Sequence, residues 1–230
     1  MNAETKIHAE AETKEDLYYM VHKGMRFANI RTLTALGQAD AGDDASIDAV
    51  LQRLYEHLEI SRSHLEHENH SIHTAIEARC PGGSDHAADD HGDHLESFAE
   101  LRRLAEDVAS ATVDRPAKLR RLYQRFALFV ADDFQHMHEE ETVLQPLLEA
   151  NFTNAELLDI HQRLVSEIPP AEMARFLRFM LGGASRAERI GMLTGMQMAM
   201  PGEVFSSMMQ AVTGSAWRMG DWDGLESAIC

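Results

Sequence analysis

The segment that decides the fold is His64-Leu-Glu-His-Glu68, which recurs as His136-Met-His-Glu-Glu140 at an offset of 72 residues. A single histidine upstream of each copy, His22 and then His94, keeps the same offset. On a helix, a histidine and a glutamate four residues apart share one face, about one turn from each other. A doubled set of imidazoles and carboxylates therefore predicts a two-fold symmetric metal site between helices.

Apolar residues frame the two copies in the same register. Ile72 and Ile76 follow the first copy, and at the common offset Leu144 and Leu148 follow the second. The repeat therefore extends into the residues that would pack around the site, which favours one internally symmetric core.

A His-x-x-x-Glu spacing by itself is weak, because the chain contains other pairs of this kind, such as His73 and Glu77. At the common offset Gln145 stands in the place of a second histidine for this pair. We therefore expect a group of histidines near the repeats to lie on other helix faces and to be solvated; these are His67, His70, His73 and His138.

Composition limits the classes of function. The chain has 230 residues, 44% of them apolar, and a net charge of −17, which argues against a nucleic-acid partner because phosphate binding needs Lys and Arg. No apolar run approaches the length of a membrane span, and the first 14 residues do not resemble a secretory signal. Cys80 and Cys230 cannot build a disulfide framework or a zinc ribbon, so we expect a cytoplasmic protein.

Apolar residues at intervals of three to four positions predict helices and no strands. Four such helices with short connections predict an all-α, up-down four-helix bundle. Their expected ranges are Thr13–Leu36, Ser46–Ala78, Asp90–Ala111 and Asp114–Leu148. The second is long enough to contain a kink, for which the serines at Ser61–Ser63 are the candidate position.

The composition changes after the bundle, which divides the chain into residues 1–152 and a helical extension over residues 153–230. Thr153-Asn-Ala-Glu156 and Ser185-Arg-Ala-Glu188 are capping-box patterns that predict helix starts. Methionines are frequent in the extension, and we interpret them as adaptable core or a packing face. The sequence leaves open whether the extension packs on the bundle or on a second copy in a homo-oligomer.

The repeated residues point to a particular class of metal. Four imidazoles with two carboxylates that can bridge suit a pair of iron or manganese ions. Thiolate is absent from the set, which makes structural zinc or an iron–sulfur cluster the poorer alternative.

The order of these residues resembles the hemerythrin-like, or HHE cation-binding, family of non-haem di-iron proteins, over about Thr13 to Ala150. The resemblance implies a four-helix bundle that binds two irons bridged by an oxo group and by carboxylates, with manganese as an alternative. The iron ligands that it implies are His22, His64, His94, His136 and the bridging Glu68 and Glu140.

Two departures from the family pattern bear on activity. Oxygen-carrying hemerythrins have five histidines, including a pair on the third helix, whereas the third helix here offers His94 and, three residues earlier, His91. Without His91 as a ligand, both irons would keep an exchangeable position, which favours reaction with H2O2, O2 or NO over simple oxygen binding. The pattern is also similar to that of di-iron proteins linked to iron–sulfur cluster repair under nitrosative stress, whose cysteine-bearing N-terminal domain is absent here.

The resemblance thus implies a role in oxidative or nitrosative stress and leaves the activity open. The chain would be a di-iron oxidoreductase that consumes peroxide, O2 or NO, or else an O2, NO or redox sensor or an iron-handling module without turnover.

Two further side chains lie near the expected ligands along their helices. His57 precedes His64 by seven residues on the same stripe, and we expect it beside the site or at the end of the bundle rather than as a ligand. Tyr18 precedes His22 by four residues. We expect a core tyrosine there, with metal ligation, radical storage or hydrogen-bond donation as the alternative.

Overall fold

The structure, a computed structural model, describes residues 14–214 and 217–229, and all of the regular structure in these ranges is helical. The predicted all-α class is confirmed for this part of the chain. No helix within it combines the length and the apolarity that crossing a bilayer requires.

The N-terminal helices, as we call α1 to α6, carry the repeated motif. In chain order they are α1 (Tyr19–Gln38), α2 (Asp44–His67), α3 (Thr74–Arg79), α4 (Asp85–Ala109), α5 (Arg115–Glu139) and α6 (Gln145–Asn151). The expected start of the first helix, Thr13, lies outside the described residues. The third predicted helix begins five residues earlier than expected, at Asp85.

Two π-helical segments interrupt the α-helical geometry without breaking the helices. Glu68–His73 joins α2 to α3, and Glu140–Leu144 joins α5 to α6. Both segments begin at the repeated glutamate, so the structure keeps the offset of 72 residues. The helix does not break at Ser61–Ser63, since α2 runs through these residues. The deviation lies instead at the glutamates, and π-helical turns are frequent at functional sites.

The long helices pack as a closed ring. α1 contacts α2 and α5, and α4 contacts the same two helices from the other side. A large apolar cluster fills one end of this ring with residues such as Leu54, Leu101 and Phe126. A second cluster fills the other end and contains the repeat-matched residues, which are Ile72, Ile76, Leu144 and Leu148. The predicted apolar frame is confirmed, and it leaves a polar layer between the two clusters.

The C-terminal helices, as we call α7 to α11, have short connections. They are α7 (Asn154–Glu167), α8 (Pro170–Gly183), α9 (Arg186–Ala199), α10 (Gly202–Thr213) and α11 (Trp222–Ile229). Both predicted capping boxes are confirmed: Thr153 with Glu156 opens α7, and Ser185 with Glu188 opens α9. Each box satisfies backbone N–H groups that a helix start would otherwise leave without partners.

The C-terminal helices dock on the N-terminal helices of the same chain, and a homo-oligomer through these helices stays a prediction. Helix α8 lies along α1 and also contacts α2. The two backbones approach closely at Gly24, where a Cβ atom would come within 2.8 Å of the backbone nitrogen of Met180. Lys23 of α1 also pairs with Glu188 of α9 at 2.6 Å. The proposed boundary at residues 152 and 153 stays a prediction.

We expect Gly24→Ala to destabilise the fold, because the added methyl group meets backbone atoms of Met180 that cannot rotate away. Overpacking of this kind costs about 1–3 kcal/mol. The matched control is Gly191→Ala in α9, where a Cβ atom meets nothing within 4 Å; there the substitution gains about 0.5–1 kcal/mol of helix stability. The free energy of unfolding in urea measures both effects. A stabilised Gly24→Ala protein would contradict the close approach of α1 and α8.

Candidate metal centre

The polar layer between the two apolar clusters holds the repeated residues. All six are buried, at 0–7% exposure; they are His22, His64, Glu68, His94, His136 and Glu140. Five of them fall into two groups whose nitrogen and oxygen atoms lie within 4.8 Å of one another. The groups are His22 with His64 and Glu68, and Glu68 with His91, His136 and Glu140. Glu68 belongs to both, so the arrangement is two adjacent ligand sets with a shared carboxylate.

On α4 the structure places His91, rather than His94, in the ligand set. The Nε2 atom of His91 lies 3.0 Å from His136 Nε2 and 3.7 Å from Glu140 Oε1. His94 also faces inward, but it lies about 4.5 Å further along the helix axis. Its ring packs edge-on against Phe129 at the border of the apolar core. The repeat predicted the correct face of α4 but not the level at which the two glutamates lie.

The two glutamates lie at the centre of the cluster. Glu68 Oε1 is 3.4 Å from His22 Nε2 and 3.3 Å from His64 Nε2. Glu140 Oε2 is 3.3 Å from both His22 Nε2 and His136 Nε2. Three of the four carboxylate oxygens have no hydrogen-bond partner within the described part of the chain, although all three are buried. A buried carboxylate without partners is costly, and a bound cation would remove that cost.

Three imidazoles are held by contacts on the side away from the glutamates, so that Nε2 points to the glutamates. In each case the Nδ1 atom lies against an oxygen acceptor that the repeat did not identify. The contacts are His22 with Glu141 at 3.1 Å, His91 with Asn69 at 2.8 Å and His136 with Asp90 at 3.3 Å. An acceptor on Nδ1 fixes the proton there and leaves Nε2 free to bind a metal. This is the arrangement of histidines in metal sites.

A guanidinium group in turn holds one of these acceptors. Arg26, one turn after His22 on α1, donates to both carboxylate oxygens of Glu141 at 2.6 and 3.1 Å. Bidentate contact of this kind fixes the plane of the carboxylate. Together with the His22 imidazole it lowers the pKa of Glu141 to about 2, against the opposing effect of partial burial. The carboxylate therefore stays charged, and Arg26 extends the support of His22 to the surface.

His73 is the largest departure from the expected positions. Its predicted exposure is wrong: the residue is 5% exposed, its ring stacks on His91 at 5.0 Å, and its Nε2 lies 3.8 Å from Glu140 Oε1. The π-helical segment explains the difference, because i to i+5 spacing brings His73 to the face of Glu68. Neither ring nitrogen has a hydrogen-bond partner among the residues that the structure describes, so His73 is an additional nitrogen donor beside the second ligand set.

The pKa values of the two buried glutamates are shifted in opposite directions. Burial, and then the neighbouring Glu140, raise the pKa of Glu68 to about 8. Burial also disfavours the charge on Glu140, but contacts with His22, His73 and His91 outweigh it and hold its pKa well below the usual range. The pKa of His22 is raised, because contacts with Glu140, Glu141 and Glu68 outweigh its burial. Two adjacent carboxylates in this layer therefore require positive charge between them, from protons or from bound cations.

His57 lies outside both ligand sets. Its Nε2 donates to Asn29 Oδ1 at 3.0 Å, and Asn29 in turn donates to Asp133 Oδ2 at 2.6 Å. Burial lowers the pKa of His57 to about 4, so the ring is neutral. This polar chain runs from the apolar core to Asp133, which lies 3.9 Å from His94 Nδ1. The chain of contacts from His57 therefore ends beside His94, whose expected role as a ligand stays a prediction.

Tyr18 is fully buried, and its ring lies 5.3 Å from that of His22. The hydroxyl has no hydrogen-bond partner in the described ranges. Burial, and then the carboxylates of Glu140 and Glu68, hold the pKa of this hydroxyl well above 10. The group is therefore a protonated, unused hydrogen-bond donor at the edge of the cluster.

The donor set of the cluster fits two hard or borderline transition-metal ions. It consists of imidazole nitrogen and carboxylate oxygen, while Cys80 belongs to the separate apolar cluster beyond it. Imidazole and carboxylate together bind several divalent metals, so iron or manganese stays a prediction. A third group of donors, His86, Asp90 and Glu139, lies near the surface. Acidic surface groups of that kind are common without a metal.

Comparison with known proteins gives limited similarity. No protein-family model matches the chain. The curated relatives include F-box/LRR-repeat protein 5 of Xenopus tropicalis, 28% identical over 153 residues, and its namesakes in Xenopus laevis and Mus musculus, 27% and 26% identical over 155 residues. Each alignment covers 66% of this chain but 22% of the relative. The chain thus spans about a fifth of the length of these relatives, which does not assign it to a family.

We expect His136→Ala to abolish binding of at least one metal ion, because this imidazole lies between Glu140 and His91. His138→Ala is the matched control, since His138 lies two residues later on α5 and is exposed. Metal bound per chain after reconstitution and desalting, measured by plasma mass spectrometry, checks both variants. Equal metal content in the wild type and the two variants would contradict the ligand assignment.

Proposed function

We propose that this chain is a hemerythrin-like protein whose N-terminal helices form an up-down four-helix bundle around two irons. We further propose that the iron pair reacts with a small oxidant, H2O2, O2 or NO, in a cytoplasmic response to oxidative or nitrosative stress. The observation that supports the proposal best is the pair of ligand sets that share Glu68, surrounded by imidazoles whose Nδ1 atoms have outer acceptors.

The proposed ligands divide unequally between the two metal positions. One position has His91, His136 and Glu140, with His73 and His94 close by. The other has His22, His64 and the shared Glu68. Because the set of His22, His64 and Glu68 has fewer donors around it, we infer that a small molecule enters on the side of His64. From the sequence, both positions would stay exchangeable only without His91 as a ligand; with His91 as the proposed ligand, that condition is not met.

When bound, the iron pair would supply electrons and a coordination position for the oxidant. The side chains have separate tasks. Glu68 and Glu140 balance the charge of the pair, while Glu141, Asn69 and Asp90 keep the imidazoles in one tautomer and one orientation. The two apolar clusters around the polar layer exclude bulk water, which strengthens the electrostatic contacts inside it.

Iron content and oxidant consumption test the proposal directly. We expect anaerobic reconstitution with Fe(II) to give about two irons per chain, and oxidation to produce a near-ultraviolet band of an oxo-bridged pair. With a reductant present, repeated additions of peroxide would be consumed at a constant rate. Retention of another metal, or of none, would contradict the iron assignment while leaving the helical fold intact.

Tyr18 is the side chain best placed to donate a proton or hydrogen bond to a bound oxidant, because its hydroxyl is protonated and unused. We expect Tyr18→Phe to keep its iron and to slow oxidant consumption by about 100-fold, the effect typical of a lost general acid. Tyr19→Phe, at the neighbouring position exposed at 46%, serves as the control and should react at the wild-type rate. Stopped-flow spectroscopy of the reduced proteins measures both rates. Equal rates would exclude a role for Tyr18.

A binding function without turnover is the second candidate, as an O2, NO or redox sensor or an iron-handling module. Contacts between the C-terminal helices and the ligand-bearing helix favour it. Phe176 of α8 packs against His64 with ring centroids 6.5 Å apart, and Glu172 lies 2.8 Å from His67 Nε2. A change at the metal pair could therefore alter the packing of α8. Consumption of a single equivalent of oxidant, with a changed protease sensitivity of α8, would favour this candidate.

A further inference from the structure

A cavity of about 650 Å³ lies between the N-terminal and the C-terminal helices. Its walls come from α1, α2, the first π-helical segment and helices α7 to α10. Cavities that bind small organic molecules typically measure about 300–1,000 Å³ and have mainly apolar walls. The size and the position between two layers of helices both fit this class of site.

Methionine is the most frequent residue in the cavity walls. Met192 and Met196 on α9, Met200 at the end of α9 and Met208 on α10 line it and are only partly buried. The sequence predicted that these methionines pack a core or a face, and they do pack beside the core of the C-terminal helices. They also leave a wall of flexible, polarisable side chains, which can adapt to an apolar molecule.

Two residues of the ligand cluster lie in the cavity wall. His64 and Glu68 line it, whereas His22, His91, His136 and Glu140 do not. The cavity therefore reaches the cluster at His64 and at the shared Glu68.

The charges around the cavity select against an anionic ligand. The acidic residues that line it are Glu15, Asp16, Glu68 and Glu188. Neither lysine nor arginine lines it among the described residues. In the chain without metal, an anionic head group would find no lysine or arginine with which to pair; the basic side chains in the walls are His64, His67 and His161. Desolvating an anion without a full ion pair would be costly.

We propose that this cavity binds a neutral, apolar organic molecule, one end of which lies against His64 and Glu68. The proposal names a second class of ligand beside the small oxidant, and its position beside the cluster rests on the proposed function. Binding in the cavity does not depend on metal. The chain without metal therefore tests the cavity alone, and the iron-loaded chain tests its connection to the cluster.

Fluorescence of the neutral probe N-phenyl-1-naphthylamine measures binding to the full chain without metal. We expect a saturable rise in emission, competition by 1-decanol, and at least about tenfold weaker competition by decanoate, which corresponds to about 1.4 kcal/mol. Equal competition by the alcohol and the carboxylate would overturn the assignment to a neutral ligand. The absence of saturable probe binding would overturn the site itself.

Variants on opposite walls locate the bound probe. Met192→Trp on α9 and Met20→Trp on α1 each add volume to the cavity, so either should weaken probe binding by about tenfold or more. Met198→Trp is the matched control on α9, because Met198 is 84% exposed and does not line the cavity. Circular dichroism establishes that the variants are folded. Unchanged binding in a folded cavity variant would place the probe elsewhere and contradict the proposal.

The iron-loaded chain then tests the contact with the cluster. We expect saturating 1-decanol to shift the near-ultraviolet absorption of the iron-loaded protein, and to shift it less in Met192→Trp. Probe binding in a protein that takes up no iron would retain the cavity and remove the proposed function. Probe binding with an unshifted spectrum in an iron-loaded protein would overturn the proposed position of the ligand beside His64.

Discussion

The main constraint on this structure is the burial of two carboxylates close to each other between helices. Glu68 and Glu140 have three oxygens without hydrogen-bond partners among the described residues, and each is surrounded by imidazole nitrogens. Apolar clusters above and below deny the pair solvent. Placing unpaired negative charge in such a layer costs several kcal/mol per ion, so the layer requires positive charge within it. Protons can supply this charge in the chain without metal, and in the proposed function bound metal ions would supply it.

The elements around this polar layer follow one another from its centre outward to the C-terminal helices. The π-helical segments begin at the two glutamates, and the first segment brings His73 to the same layer. Outer acceptors such as Glu141 and Asp90 then fix the imidazoles. Finally, the C-terminal helices cover the side of His64 and leave a methionine-lined cavity that ends at the cluster.

The repeat predicted the helical class, the apolar frame and the burial of the six repeated residues, because an offset of 72 residues preserves helix faces and their register. The repeat did not reveal the π-helical geometry, because helix faces were assigned with the 3.6-residue period of an α-helix. For this reason His73 was expected in solvent. Nor could the repeat distinguish His91 from His94, since both lie on the inward face and differ in their level along α4. The sequence analysis missed the acceptors Asn69, Asp90 and Glu141. Each of them contacts a histidine on a different helical segment, and the spacing of residues along one helix carries no information about such contacts.

Anomalous X-ray diffraction at the iron absorption edge, from crystals of the reconstituted chain, tests the central claim most directly. We expect two peaks within the buried layer: one among His22, His64 and Glu68, and one among His91, His136 and Glu140. A peak found only at His86, Asp90 and Glu139 near the surface, or no peak at all, would contradict a two-metal centre built on the repeated glutamates.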